Sequence, residues 1–426
     1  MSHNNDILNT LNLKDENIIF EKNCLTEERI HDVFAKVYHA KLTGTPTRCA
    51  HCECLNEKET SIIKYGSKTV LIKLLPVSGS PAYLRLKKQR YLCRHCGKTF
   101  IEQTPVVEAN CCIANNVKIK TAIALTHNTS QKDIAREYNI STNTVGRILD
   151  NAFSAYQPSY DWLPQALCFD EFKSVKSAKG NMSFIFCNAY TSEIIDILED
   201  RRFNCLKTYF MKFKRKARLN VKHIVIDIYK PYMKLIQECF PNAQIIIDRI
   251  HLVQLFSREL NKIRINTMNK DKANESKYKR FWRLFLQPTE KVDGTHCFYQ
   301  PTYKAHKTNR QILEDLLSKD SVLRAAYDVY QSVLYAINHN SMTLIEQVLT
   351  NQSNELHEKM QKALRTLKNY QDYVKNTLAC SLNNGRIEGL NNKIKAIKRV
   401  AFGFRSFYHF RNRILIQQGI LKLKAA

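Results

Sequence analysis

The chain has 426 residues, 44% hydrophobic and 25% charged, with 11 Gly and 10 Pro, a globular mixture that excludes a fibrous or wholly disordered protein. Lys and Arg number 66 against 39 Asp and Glu, and the resulting charge of +27 argues against an enzyme of small neutral metabolites and for a polyanionic partner. No run approaches the roughly eighteen apolar residues of a spanning helix, and the opening Met1-Ser-His-Asn-Asn-Asp6 lacks the basic-then-apolar pattern of a secretory signal, so a cytoplasmic protein with no membrane partner is expected.

In chain order, residues 1–45 read as a polar lead with one amphipathic helix, in which Ile30, Val33, Phe34, Val37 and Tyr38 fall at helical spacing. Residues 46–105 hold short β-prone runs, Thr69–Leu75 and Ala82–Leu86, punctuated by Ser78-Gly-Ser-Pro81 and bounded by two Cys-x-x-Cys pairs. Only four of the 14 cysteines form such matched pairs, which in a reducing compartment read as metal ligands. Cys49, Cys52, Cys93 and Cys96 would fill the four positions of one structural zinc ion and pin the ends of a β-ribbon too small to fold on apolar burial alone. His51, Cys54 and His95 lie close in sequence, and Cys54 is the alternative to Cys52; the symmetric x-x spacing favours Cys52.

Over 115–156 the period becomes helical, and Thr129–Leu149 carries a helix-turn-helix pattern. Ile134 and Ala135 face inward on the first helix, Asn139 ends it, Ile140 plugs the turn, and Ser141 caps a second helix with inner face Val145, Ile148 and Leu149. Thr142, Asn143, Thr144 and Arg147 then point outward, short donors and a fork suited to base edges and phosphates in a major groove of double-stranded DNA. Residues 164–268 alternate three strands, a helix, a strand, a helix and a strand before the helix from Ile250, an α/β layered core. Residues 269–378 lack convincing strands and read as helices with a looser stretch near Gln287–Thr308, and 379–426 return to a strong helix and a basic C-terminal region.

Three acids stand out by setting. Asp170 ends the apolar run Ala166–Phe169, Asp227 follows the strongly β-forming Ile224-Val-Ile226, and Glu388 is the sole acid after Ser381 amid ten Lys and Arg. A carboxylate in a core strand is costly unless a cation meets it. Two carboxylates at strand ends with a third from a helix can hold a pair of Mg2+ or Mn2+ ions around a scissile phosphate. Basic residues surround this set: nine Lys and Arg and no acid lie in 201–222, among them Lys212, Lys214, Arg215, Lys216 and Arg218. Asn392, Lys395 and Arg399, with Lys398 beside them, follow Glu388 at helical intervals suited to phosphate contacts. Arg399, Phe402, Phe404, Arg405, Phe407, Tyr408 and Arg411 interleave charge with rings, as a strand-gripping surface would.

The blocks Cys168-Phe-Asp-Glu-Phe172, Ile224-Val-Ile-Asp-Ile-Tyr-Lys-Pro-Tyr232 and Asn384-Gly-Arg-Ile-Glu-Gly-Leu-Asn-Asn-Lys-Ile-Lys395, the last continuing into Lys398-Arg-Val-Ala-Phe-Gly403, resemble those of bacterial insertion-sequence DDE transposases of the ISL-three family. Pro241-Asn-Ala-Gln-Ile-Ile-Ile-Asp-Arg-Ile-His251 is similar to the block after that family's second catalytic Asp, and the ribbon and helix-turn-helix stand in the family's order. The resemblance implies an RNase H-like catalytic core with an all-helical insertion, and the triad Asp170, Asp227 and Glu388 as ligands of two catalytic Mg2+ or Mn2+ ions. Asp248 is the rival for the second acid; with His251 it reads instead as a group that orients a ligand or phosphate. The implied activity is binding of terminal inverted repeats, metal-dependent cleavage and strand transfer into target DNA. It would be carried out near the nucleoid by a homodimer or higher synaptic assembly. A DNA-binding regulator that retains the fold, or a nuclease without strand transfer, are the alternatives.

Overall fold

The computed structural model describes residues 2–56, 60–154, 158–351 and 355–419. The chain divides into two units, residues 1–157 with 394–426 and residues 158–393.

In the first unit, helix α1 (Ser2–Thr10) is followed by strands β1 (Ile18–Ile30) and β2 (Val33–Leu42), paired antiparallel. The amphipathic helix expected over Ile30–Tyr38 is therefore corrected to a hairpin. His31 and Asp32 both take positive φ (49° and 63°), the geometry of a tight two-residue turn whose twist matches the flanking strands. Beyond it Val33 and Phe34, next to the turn, are exposed while Ala35, Val37 and Tyr38 further along β2 are buried, so the five apolar residues do not share the single buried face that helical spacing suggested. β2 pairs in parallel with β4 (Ala82–Cys93), β4 pairs antiparallel with β3 (Ile62–Lys73), and the short β5 (Thr99–Ile101) adds to β4, giving one five-stranded sheet.

Helices α2 (Asn115–Ala124), α3 (Gln131–Glu137) and α4 (Thr142–Ser154) complete the N-terminal part of this unit. Ser130 caps α3, its hydroxyl accepting from Asp133 N at 3.1 Å, and Ser141 caps the next helix, accepting from Thr144 N at 3.1 Å. Asn139 takes φ 51° after α3, and Ile140 N reaches back to the Ala135 carbonyl, which closes the first helix and turns the chain. Ile134, Ala135, Ile140, Val145 and Leu149 are buried, and Ile148, also expected on the inner face, is half-buried. From the far end of the chain, α16 (Phe407–Gln417) packs against α4. His409 Nε2 meets Asp150 Oδ2 at 2.8 Å. Arg413, only 3% exposed, donates to the carbonyls of His127 (3.0 Å) and Thr129. Replacing Arg413 by Met keeps an apolar stem but strips two carbonyls of their charged donor. We expect a loss of about 2 kcal/mol, seen as reduced amide hydrogen-exchange protection in α4 and α16 with residues 158–393 unchanged.

In the second unit, β6 (Ala166–Lys173), β7 (Met182–Asn188) and β8 (Ile194–Leu198) form an antiparallel meander. Helices α5 (Phe203–Phe210) and α6 (Arg215–Asn220) lead to β9 (His223–Ile226), and α7 (Lys230–Cys239) leads to β10 (Gln244–Ile247). Both later strands run parallel to β6, so the sheet order is β10-β9-β6-β7-β8. The continuous apolar runs Ile224-Val-Ile226 and Ile245-Ile-Ile247 are what strands covered on both faces require, and all six residues are buried. An aromatic cluster fills one side: Phe169 stacks on Phe210 at 5.4 Å and meets Phe184 edge-on at 5.1 Å.

α8 (Arg249–Lys270), α9 (Glu275–Arg280), α10 (Asn309–Leu317), α11 (Ser321–Asn338), α12 (Met342–Thr350), α13 (Glu358–Asn369) and α14 (Gln371–Ala379) follow. The segment expected to be wholly helical also holds one small hairpin, β11 (Phe298–Gln300) with β12 (Ala305–Lys307), inside the stretch read as loose. α14 covers β10, where the Thr377 hydroxyl accepts from Ile247 N at 2.9 Å and donates to its carbonyl at 3.0 Å, so the outermost strand is not left open. α15 (Gly385–Val400) then carries the Glu388 block.

Candidate active site and zinc centre

The two cysteine pairs sit in matching turns. Glu53 N bonds the Cys49 carbonyl at 3.0 Å and Gly97 N bonds the Cys93 carbonyl at 2.9 Å, with Glu53 and Gly97 both at positive φ (59° and 69°). The four sulfurs of Cys49, Cys52, Cys93 and Cys96 all lie within 4.8 Å of one another. Cys49 to Cys96 is 3.8 Å and Cys52 to Cys93 is 3.7 Å. A tetrahedron with Zn–S of about 2.3 Å has S···S edges of about 3.8 Å, so the cluster fits one zinc ion. The backbone N–H of Cys96, aimed at the Cys93 sulfur, draws that thiol down to about 6, toward the thiolate a metal needs. Cys54 lies 3.3 Å from Cys93, and Cys52, Cys54 and His95 form a second, overlapping triple.

The acids are placed by strand register. Cys168 of β6 is level with Val225 of β9, so Asp170, midway along β6, and Asp227, the residue just past β9, come level at the carboxyl edge of the parallel pairing. Ile226 is level with Ile247 of β10, so Asp248 extends the row. That edge is where ligands settle in open α/β sheets, because the connections lead away from it. Here Asp170, Glu171, Asp227, Tyr229, His251 and Arg258 line a cleft of about 420 Å³. A larger cavity of about 750 Å³ lies among α11 and α12 and contains none of the residues singled out from sequence.

Burial pushes Asp170 up to about 7, with the Asp227 and Glu171 charges adding to it against a hydrogen bond from Glu171 N. Asp227 is also raised, chiefly by burial, with His251 and Asn384 opposing. Asp248 behaves differently. Burial would raise it, but hydrogen bonds from His251 and from Asn384 N outweigh that and hold it below the ordinary carboxylate range. It caps α8 through Ile250 N at 3.1 Å and is almost fully enclosed. His251 Nδ1 stands 3.1 Å from both Asp248 Oδ2 and Asp227 Oδ1, and the bond to Asp248 raises its pKa. The rival acid is thus committed to hydrogen bonds, while Asp227 faces the cleft.

Two residues that sequence reasoning passed over tie α15 to this row. Asn391 Nδ2 donates to Asp170 Oδ2 at 2.7 Å, and Asn384 Nδ2 donates to Asp227 Oδ1 at 3.1 Å. Asn384, the residue before α15, and Asn391 within it stand four residues before and three after Glu388, which lies between the two struts in sequence. The Glu388 carboxylate itself is exposed and is not among the residues lining the cleft. Among the described residues, no set of three acids brings its oxygens within 4.8 Å of one another. Both asparagines are more than nine-tenths buried, and their Oδ1 atoms have no hydrogen-bond partner among the described residues. Carboxylates with orphaned amide oxygens form a hard donor set that suits Mg2+ or Mn2+ better than a soft ion. The signal in the sequence was the pair of asparagines flanking Glu388 at helical spacing.

Glu171 is held by Arg201 and by the Tyr232 hydroxyl at 3.0 Å. Much of the basic stretch 201–222 is committed in the same way. Arg202 pairs with Asp200, Lys207 with Glu238 and Lys214 with Asp161, while Arg218 bonds the Cys239 carbonyl, leaving Lys212, Arg215 and Lys216 among its exposed cations. On α4, Thr142, Asn143 and Arg147 are exposed, whereas the Thr144 hydroxyl bonds Ser141 and Arg147. On α15, Asn392, Lys395 and Arg399 are exposed opposite the buried Ile387, Leu390, Ile394 and Ile397, with Lys398 half-buried; Arg405 beyond it is exposed.

A family model for ISL3 DDE proteins, described as transposase, matches residues 167–414, and one described as the zinc-finger of transposase IS204/IS1001/IS1096/IS1165 matches residues 45–96. The chain is similar to the transposase for insertion sequence element IS1001 of Bordetella parapertussis, 21% identical over 401 residues, which covers 91% of this chain and 90% of that one. It is also similar, at 40% identity over 134 residues, to a Lactococcus lactis subsp. lactis protein named ATP-dependent protease; the match spans 32% of this chain and 42% of that protein.

Proposed function

The chain belongs to the ISL3 family of insertion-sequence transposases, and from that membership we propose that it binds the terminal inverted repeats of its own element, cleaves phosphodiester bonds there, and joins a DNA 3′ hydroxyl to a target. The observation that carries this reading is the level placement of Asp170 and Asp227 with the Glu388 helix strutted across both by Asn391 and Asn384. Asp170, Asp227 and Glu388 would hold two Mg2+ or Mn2+ ions, whose chemistry there would be activation of the attacking oxygen and stabilisation of the leaving one. Asp248 fixes His251 against Asp227, and Arg258 at the cleft supplies charge for a phosphate. The strand order third-second-first-fourth-fifth supports an RNase H-like core over 164–268 and 379 onward, with 269–378 as its helical insertion.

DNA recognition falls to the ribbon and to α3 and α4 as a helix-turn-helix, with Thr142, Asn143 and Arg147 toward base edges and Thr144 acting mainly within the cap. Asn392, Lys395, Lys398, Arg399 and Arg405 meet phosphates, which makes affinity fall steeply with salt. Pairing two element ends requires a homodimer or larger synaptic assembly. No described helix is long and apolar enough to cross a membrane; work at the nucleoid is proposed from the DNA substrate alone.

The test is incubation of the full chain with a duplex carrying one element end and a target plasmid in Mg2+ or Mn2+. Nicking at the repeat boundary and joined products are expected. Binding without cleavage would leave a DNA-binding regulator, and cleavage without joining a nuclease. Replacing Asn391 by Ala is expected to weaken Mn2+ binding about 10- to 100-fold, measured from the free Mn2+ resonance signal, while end binding stays at the parent level.

A further inference from the structure

α15 ends in a six-residue closing motif: Gly403 N bonds the Lys398 carbonyl at 3.1 Å and Phe402 N bonds the Arg399 carbonyl at 3.0 Å. The motif requires its fifth residue to be left-handed, a position glycine ordinarily takes because a Cβ there crowds the next carbonyl. Phe402 occupies it with φ 52°, although a glycine follows at once. Its ring is 97% exposed, the highest value among the exposed large hydrophobics. Neither backbone nor core gains from an aromatic here, and an observed outlier of this kind points toward a use outside the fold.

The other rings of the segment have partners within the protein. Phe407 and Phe410 are buried, Phe404 packs on Phe410 at 4.8 Å, and Tyr408 lies edge-on to Phe407 at 5.6 Å. Along the chain on either side of Phe402 the charge has one sign. Lys398, Arg399 and Arg405 flank it, and no acid follows Glu388. A single ring is far too small an apolar patch for a protein interface, which needs on the order of 1,000 Å², whereas one ring is the size of one nucleobase face.

We propose that Phe402 is a base-stacking wedge that receives a nucleobase unstacked from the duplex while Arg399 and Arg405 hold the neighbouring phosphates. Aromatic stacking is tolerant of base identity, so the wedge acts on structure at the DNA end and adds little sequence readout. The inference rests on the proposed function, because it presumes that DNA ends are bound.

The full-length protein would be mixed, without Mg2+ or Mn2+, with end-bearing duplexes carrying 2-aminopurine at successive positions near the cleavage boundary, paired or left frayed. The wild type is expected to brighten the probe at one position. Phe402→Gly should leave it dark, bind the frayed end about tenfold more weakly, and melt no lower than the parent because the left-handed position suits glycine. Phe402→Trp should restore brightening. If Phe402→Gly brightens and binds like the parent, or if no position brightens with wild type bound specifically to ends, the wedge is wrong and the functional reading stands. If Phe402→Gly melts lower or loses self-association, the ring serves a contact within or between protein chains, which also overturns the wedge. Absence of any preference for end-bearing DNA by the wild type would sink the functional reading itself.

Discussion

Asp170→Asn should stop strand cleavage while making the Mg2+- and Mn2+-free protein more stable at pH 8. Loss of one carboxylate from a two-ion site removes several kcal/mol of transition-state stabilisation, on the order of a thousandfold in rate or more. The stability change has the opposite sense, and its sign follows from the proton count. Burial lifts Asp170 from the ordinary carboxylate range to about 7. Between those limits the folded state holds a proton that the unfolded state has released, so stability falls as pH rises through the window. Above it the buried charge costs on the order of a few kcal/mol, and Asn does not carry that charge. The melting temperature of Asp170→Asn should therefore exceed the parent's at pH 8 and approach it near pH 4. Added Mn2+ should stabilise the parent and not the variant. Asp227→Asn should behave alike, its carboxyl also being raised by burial. Glu388→Gln should lose cleavage with no change in melting, since Glu388 is exposed. End binding should survive in all three. An Asp170→Asn protein that cleaves at the parental rate refutes the two-ion proposal, and one that melts lower at pH 8 refutes the buried-charge account.

The parts of this molecule that were legible in the sequence are those where one local rule governs. Isoleucine runs announced β9 and β10 because strands covered on both faces need nothing else, and the asparagine and serine at 139 and 141 announced a chain turn because each closes or caps a helix with its own backbone or side chain. The β1–β2 hairpin was hidden because Ile30, Val33, Phe34, Val37 and Tyr38 fall at helical spacing and do not alternate along the strands, and the deciding residues, His31 and Asp32, are not a strong turn pair. The setting of the acids was half legible. That each aspartate follows an apolar strand run was plain, although β6 continues past Asp170 to Lys173, but the division of labour between Asp227 and Asp248 depends on hydrogen bonds from His251 and from Asn384, 136 residues away from Asp248 in sequence. The packing of α16 on α4 is likewise invisible to any window of sequence, since Arg413 and the carbonyl of His127 it satisfies are 286 residues apart.

Removing zinc should unfold the knuckle end of the first sheet and leave residues 158–393 intact. The local apolar cluster consists of Cys49, Ile62, Tyr91 and Cys93, with Phe100 and the remaining cysteines packed partly around it. Two of its four buried members, Cys49 and Cys93, are themselves expected zinc ligands, so little hydrophobic stabilisation would remain if the sulfurs lost an ion. In zinc-finger peptides the ion supplies about 10–16 kcal/mol of apparent binding free energy that doubles as folding free energy. Cys93→Ser should therefore abolish tight zinc binding and expose the amides of β5 and the adjoining ends of β3 and β4 to exchange. Cys54→Ser should retain one zinc per chain, because the matched turns and near-tetrahedral edges belong to Cys49, Cys52, Cys93 and Cys96. Zinc content by colorimetric release, paired with hydrogen exchange on the same samples, separates the cases. Loss of zinc from Cys54→Ser with retention in Cys52→Ser would transfer the fourth ligand to Cys54, whose sulfur already stands 3.3 Å from that of Cys93. End binding should fall with the metal in Cys93→Ser, since a ribbon without its pin cannot hold a fixed face to a groove, whereas the acidic cleft of the second unit, proposed to hold Mn2+, should take it up as in the parent.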